Sequence, residues 1–324
     1  MTDVEDTEAA LERAAKTIDA ADHVTLMCHV TPDGDALGSM LALHHALLAA
    51  GRSSVATFPE PFVIAPHYRD LPGLDLITRP ADLPADLGVV VTFDCGALGR
   101  LADLAPLAES ADELIVVDHH VSNERYGTIN VIDPQAAASG VVVRTLIDRL
   151  GLSLTRDVAF CLYTALVCDT GRFQYESTTS GVFNLAAELL AFDLPVSTLS
   201  RTLFEEHSFA YLQLLGEALA NATLVPEQSF VWTAVNQDLL NRHGVTMEEV
   251  EGLIDIIRRT AEADVACVVK EDADGTVKVS LRSVGATDVE KVATANGGGG
   301  HRFAAGFTSH DGIDATVARI RASL

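Results

Sequence analysis

Four short apolar runs constrain this chain most: VTLMC (24–28), SVATF (54–58), GVVVTF (88–93) and ELIVV (113–117). Each is continuous rather than alternating. A strand that shows one face to water alternates apolar with polar side chains, whereas a strand covered on both faces stays apolar throughout. Helical patterns separate and follow the runs. Leu37, Leu41, His44 and Leu48 recur about once per turn, and SGVVVRTLIDRL and RDVAFCLYTALVC come later. Buried strands alternating with helices predict an α/β fold, a doubly wound and mainly parallel sheet over residues 1–190.

After Asp193-Leu194-Pro195 the pattern changes. Residues 191–222 read as a helical linker, and 223–324 as a smaller mixed α/β domain. The second domain is expected to contain FVWTAV, a helix over 247–261, VACVVKE, VKVSLRS and a final helix. Asp274-Gly275 between the last two runs signals a hairpin. A chain of 324 residues is long enough for two such cores.

The formal net charge of -24 disfavours a protein that grips long duplex nucleic acid, because that affinity comes largely from cations on phosphates. The acidic start MTDVEDTEAALE lacks the basic and apolar regions of a secretory signal. No apolar stretch approaches the roughly 20 residues of a membrane-spanning helix. Cys28, Cys95, Cys161, Cys168 and Cys267 are odd in number and form no CxxC pair, which disfavours a disulfide framework and a thiolate zinc site. A reducing cytoplasm is the expected location.

Ligands of open α/β sheets bind beyond the carboxyl ends of the strands. At those positions this chain places His29, Asp33 and Asp35 after VTLMC, Asp94 after GVVVTF, and Asp118-His119-His120 after ELIVV, while FCLYTALVC ends at Asp169. Gathered at one sheet edge, the carboxylates repel one another, and divalent cations relieve that repulsion. Oxygen and imidazole donors without thiolates suit Mn2+ or Mg2+, and the set suffices for two ions if one carboxylate bridges. Taken singly, Asp33 or Asp35 reads as a helix N-cap, Asp94 as the start of a turn and Asp169 as a helix terminus. Cys28, Cys95 and Cys168 beside these positions read as packing residues.

HVTPDGDALGS (29–39) together with Asp118-His119-His120 resembles the DHH phosphoesterase superfamily, and Asp94 and Cys168-Asp169-Thr170-Gly171 match its other acidic motifs in order. NGGGGHRFAAG (296–306) is similar to the glycine-rich signature of the DHH-associated substrate-binding domain. With its two-domain length, the chain resembles the nanoRNase and pAp phosphatase group, which includes enzymes of linear and cyclic di-AMP. The resemblance implies that His29, Asp33 and Asp94 hold one metal and that Asp35, Asp94, His119 and Asp169 hold the other. His120 would then touch the scissile phosphate, with Asp118 supporting the histidines.

The same resemblance implies two Mn2+ ions, with Mg2+ or Co2+ as substitutes, and substrate contacts from Arg282, Gly299, Gly300 and His301. The residues themselves agree with that second part: successive glycines let backbone N–H groups approach an anion, His301 and Arg302 add charge or donors nearby, and Arg282 is placed to meet them across the hairpin sheet. The role of Arg302 is left open. The implied substrates are short RNA oligonucleotides, pAp, pApA and cyclic di-AMP, taken in a cleft between the domains by a homodimer without membrane attachment. The hydrolytic route needs no protein nucleophile, so Ser39 and Ser139 are not required as such, and Ser39 is expected to cap or pack. Two alternatives stay open: a non-catalytic cyclic-dinucleotide sensor, and an inorganic pyrophosphatase, which the GGGGH run disfavours.

Overall fold

The structure, a computed structural model, describes residues 6–324. The chain forms two compact units, the first ending at Phe204 and the second running Glu205–Leu324. The first holds strands β1 (Val24–Cys28), β2 (Ser54–Thr57), β3 (Val89–Phe93), β4 (Leu114–Asp118) and β5 (Ile129–Ile132). Its helices are α1 (Thr7–Ala20), α2 (Gly34–Ala49), α3 (Ala105–Glu109), α4 (Ser139–Arg149), α5 (Arg156–Asp169), α6 (Ser180–Leu190) and α7 (Val196–Phe204). The strands pair in the order β2-β1-β3-β4-β5, all parallel.

The apolar runs are continuous because alternate residues serve opposite faces. Leu26, Cys28, Val91, Phe93, Ile115, Val117 and Val131 enter a large core with α1, α2, α4 and α5. Met27, Val90 and Leu114 enter a smaller one with Leu101, Leu104 and Ala108. Helix α2 lies deepest, buried almost all round over Gly34–His44, as an apolar helix must be. It approaches α5 through Gly38, where a Cβ would stand 2.5 Å from the Cys161 carbonyl oxygen and 2.9 Å from Ala165 N. Strand β5 escapes the apolar-run criterion because it is a short edge strand carrying Asn130.

The second unit contains α8 (Phe209–Ala220), β6 (Thr223–Val225), β7 (Phe230–Val235), α9 (Gln237–His243), α10 (Leu253–Ile257), β8 (Val265–Glu271), β9 (Val277–Ser283), α11 (Val289–Thr294), β10 (Gly299–His301), β11 (Ala304–Ser309) and α12 (Ile313–Ser323). The sheet order is β10-β11-β9-β8-β7-β6, antiparallel except for β7 with β8. One face packs on α8, α9 and α10, the other on α11 and α12. The single helix expected over 247–261 is instead a 3-10 turn, Glu248–Val250, followed by the short α10. Gly252 between them weakens helix continuity, while Val250, Leu253, Ile254 and Ile257 are each drawn into the core.

Candidate metal centre

The registers Cys28↔Phe93 and Phe93↔Val117 bring the ends of β1, β3 and β4 side by side. Neighbouring strands are about 4.8 Å apart, so the residues that follow, His29, Asp94 and Asp118, meet at one edge. Asp94 adopts φ 53, a left-handed conformation that a non-glycine residue takes at a cost and that re-aims its side chain after the strand.

Asp94 is the hub. Its Oδ2 lies 3.6 Å from His29 Nε2, and its Oδ1 lies 3.6 Å from both His119 Nε2 and His120 Nδ1. Asp33 Oδ2 is 3.9 Å from His29 Nε2. On the other side, His119 Nε2 stands 3.3 Å from Asp169 Oδ2 and 3.8 Å from Asp35 Oδ2. Two groups of donor atoms, His29 with Asp33 and Asp94, and Asp35 with Asp94 and His119, each fall within 4.8 Å of one another. Asp169 reaches the second group through His119. Apart from the 3.3 Å between His119 and Asp169, these separations are longer than hydrogen bonds, and they suit donors arranged about a shared ion at roughly 2.1–2.4 Å from each.

The carboxylates are held by fixed donors. Asp33 caps α2, accepting from Asp35 N (3.1 Å) and Ala36 N (3.0 Å) with Oδ1, which leaves Oδ2 for His29. Asp35 accepts from Ser39 Oγ (2.9 Å), Ser139 N (2.6 Å) and Gly140 N (3.0 Å). The last two are orphan amides at the start of α4, whose own N-cap, Ala138, offers no side-chain acceptor. Ser139 Oγ donates to Asp94 Oδ1 (3.1 Å). Asp118, fully buried, accepts at Oδ1 from His119 N (2.7 Å), His120 N (3.2 Å) and His120 Nδ1 (2.7 Å), and at Oδ2 from Asn123 Nδ2 (2.5 Å). His119 Nδ1 donates to the Ala136 carbonyl (3.0 Å), which presents Nε2 to the carboxylates.

Charge is badly balanced at this edge. Burial, with Asp94 and Asp169 close by, pushes Asp35 well above the usual carboxylate range. Burial also raises Asp169 to about 6, against the pull of His119. Burial opposes the charged form of His119, but Asp169, Asp35 and Asp94 outweigh it and raise the imidazole to about 10. For Asp94 burial is likewise outweighed, by the imidazoles of His29, His120 and His119, and the carboxyl is held well below its ordinary range. His120 is raised despite burial by its bond to Asp118.

The residues fit divalent cations on their own evidence. His29 Nε2 is buried without a hydrogen bond and faces two carboxylate oxygens. The donors are oxygen and imidazole nitrogen, the set that manganese and magnesium accept. Cys28 and Cys95 are buried, and Cys95 Sγ donates to the Ala97 carbonyl oxygen (3.3 Å).

His29, Asp33, Asp35, Asp94, Asp118, His119, His120 and Asp169 all lie at this edge. Three supports were not singled out: the Ser139-Gly140 amides, Ser39 as a donor to Asp35, and Asn123. The visible signal for the first was a helix opening on Ser-Gly without a preceding cap. In the second unit, Ala304 pairs with both Arg282 on β9 and His301 on β10, so those side chains share one face of the sheet. Arg282 Nη1 donates to the Leu281 carbonyl (3.0 Å), and its Nε lies 3.9 Å from Asp255. The second half of the glycine run is strand: Gly299 pairs with Gly306 and Gly300 with Ala305, while Gly297 lies in the preceding turn. Gly300 takes φ +139, and a Cβ there would stand 2.5 Å from the Ala304 carbonyl oxygen. The Arg302 guanidinium lies over the Phe303 ring, 5.1 Å from its centroid.

Residues 23–166 match the N-terminal domain of the DHH family, and residues 227–324 match the DHHA1 domain. The chain belongs to the DHH family and is a hydrolase of that family. Within it, the chain is 32% identical to the bifunctional oligoribonuclease and PAP phosphatase NrnA of Thermus thermophilus, covering 88% of this chain and 83% of that one. A protein of the same name from Bacillus subtilis is 27% identical, covering 90% of each. Among solved structures, an exopolyphosphatase-related protein from Bacteroides fragilis superposes with a TM-score of 0.88 at 25% identity, covering 100% of this chain and 97% of that one.

Proposed function

We propose that the protein is a two-metal phosphoesterase. It hydrolyses short oligoribonucleotides, pApA among them, to 5'-mononucleotides, and pAp to AMP and phosphate; cyclic di-AMP is converted to AMP through pApA. One observation carries the reading: Asp94 turns Oδ2 toward His29 Nε2 and Oδ1 toward His119 Nε2, each at 3.6 Å. A carboxylate so placed would offer one oxygen to each of two ions. His29, Asp33 and Asp94 would hold one, and Asp35, Asp94, His119 and Asp169 the other, with Mn2+ preferred and Mg2+ or Co2+ as substitutes. Such a pair, when bound, lowers the pKa of water and offsets charge on phosphoryl oxygens.

The chain supplies orientation. Asp118 holds His120 by Nδ1, which directs the opposite ring nitrogen away from it. The raised pKa favours the protonated ring, the form in which His120 donates to a phosphoryl oxygen. Asp35, fixed by Ser39, Ser139 and Gly140, keeps its place as charge changes during turnover. Water attacks phosphorus, the bond to the leaving oxygen breaks, and that oxygen takes up a proton. Arg282, Gly299, Gly300 and His301 grip the nucleotide. The match of residues 227–324 to DHHA1 and the names of the relatives support a nucleotide over pyrophosphate.

The five cysteines are unpaired, which suits a reducing cytoplasm. The proposed assembly is a homodimer, since α6 leaves Phe183 and Leu190 exposed for a second copy to cover. The test of function is chromatography of products after incubating the protein and Mn2+ with pApA, beside an EDTA control. Metal-dependent AMP is the expected result. Intact pApA with metal bound would transfer the site to cyclic-dinucleotide sensing or to pyrophosphate hydrolysis.

A further inference from the structure

His29 is contested by two partners. Its Nδ1 lies 2.8 Å from the Val30 carbonyl oxygen and 3.0 Å from Arg100 Nη2. Arg100 stands on the 3-10 segment Leu98–Leu104, and its own carbonyl accepts from Val30 N (2.9 Å), which ties that segment to the turn after β1. A guanidinium only donates. A carbonyl oxygen only accepts. Nδ1 therefore serves one partner or the other: protonated it donates to Val30, and unprotonated it accepts from Arg100.

The choice decides what the other ring nitrogen does. A neutral imidazole that accepts at Nδ1 carries its proton on Nε2, the buried atom facing Asp94 at 3.6 Å and Asp33 at 3.9 Å. A protonated Nε2 has no lone pair to give a metal. In the opposite tautomer Nδ1–H donates to the Val30 carbonyl, and Nε2 is free to ligate, the arrangement by which metal-bound histidines are ordinarily fixed. At His119 the Nδ1 donates to the Ala136 carbonyl in that way.

We propose that Arg100 is a positioning residue that sets the tautomer of His29 and thereby the affinity of the His29–Asp33–Asp94 half for its metal. While the guanidinium holds Nδ1, that half is unfit for a cation. On loading, the ring proton moves from Nε2 to Nδ1 by exchange with water, Nδ1–H turns to Val30, and Arg100 is released. The net charge of the ring does not change. The inference rests on the metal-site reading above, and it makes the His29 half weaker and more readily exchanged than it would be without the guanidinium.

The test is Arg100→Met, a change at an exposed position, read without turnover. Titration calorimetry with Mn2+ should give two ions for both proteins, with one bound about tenfold tighter in the variant, because a charge-assisted hydrogen bond to the competing tautomer is gone. Nitrogen-15 spectra of the metal-free proteins should show His29 protonated on Nε2 in the wild type and on Nδ1 in the variant. An unchanged isotherm overturns the role of Arg100 alone. A wild-type His29 already protonated on Nδ1 overturns it too, since any tightening would then reflect only the loss of a nearby positive charge. A wild type that binds no Mn2+ overturns the metal reading together with the inference.

Discussion

The aspartate–histidine centre of the first unit and the glycine-rich edge of the second are built on opposite principles. In the centre, side chains are held by other groups: Asp35 has three donors and Asp118 four. At the edge, side chains are missing. Gly298 and Gly300 lie so close to β11 that a Cβ would stand 2.1 Å from the Gly306 carbonyl oxygen in one case and 2.5 Å from that of Ala304 in the other. Removing an atom should damage the first region, and adding one should damage the second.

The largest expected effect is that of Asp94→Asn. The amide keeps an oxygen for Ser139 Oγ but loses the charge that faces both His29 and His119. Turnover should fall at least about a thousandfold, the scale of losing a principal electrostatic group, and metal content should drop below two ions per chain while the unfolding temperature changes little. Wild-type-like turnover would remove Asp94 from its bridging role and much of the contrast with it.

Gly38→Ala comes next and cuts across the contrast, because here the metal centre too depends on a missing side chain. The added Cβ would meet the Cys161 carbonyl oxygen at 2.5 Å and Ala165 N at 2.9 Å, both backbone atoms. Helices α2 and α5 must part, at a cost of about 1–3 kcal/mol for overpacking. Asp35 and Asp169 ride on those two helices, so metal affinity should weaken along with thermal stability. If stability falls and affinity does not, the spacing of α2 and α5 does not set the site.

How much of this was legible in the sequence follows the same division. Continuous apolar runs announced β1 to β4, and the residues just beyond them announced the centre, because a parallel sheet delivers successive strand ends to one edge. The supports were not legible. Ser139 and Gly140 act through backbone amides on a residue more than a hundred positions away, a contact that no local pattern records. The segment 247–261 misled because its buried residues, Val250, Leu253, Ile254 and Ile257, keep a helical spacing across a glycine that divides the helix. The glycine run was read for approach to an anion, whereas what the structure sets against Gly298 and Gly300 is β11, a pairing that no local pattern records.

His301→Ala tests the second region by subtraction. Arg282 and His301 share a sheet face with only Ala304 between them, so loss of the imidazole should weaken substrate binding without disturbing the fold. KM for pApA should rise about tenfold with kcat and metal content nearly unchanged, the signature of a uniform binding contact. A fall in kcat with KM unchanged would instead give His301 a part in the chemical step.

The smallest effect separates structure from ligand within the glycine run itself. Gly299 differs from its neighbours: a Cβ there meets nothing within 4 Å, and its φ is not among the left-handed values. Gly299→Ala should therefore leave the unfolding temperature where it is. If the backbone of β10 approaches the nucleotide's phosphate, the methyl group holds that phosphate off and KM rises a few-fold. If KM stays the same, the glycines are there for the pairing of β10 with β11, and the grip falls to Arg282 and His301 alone.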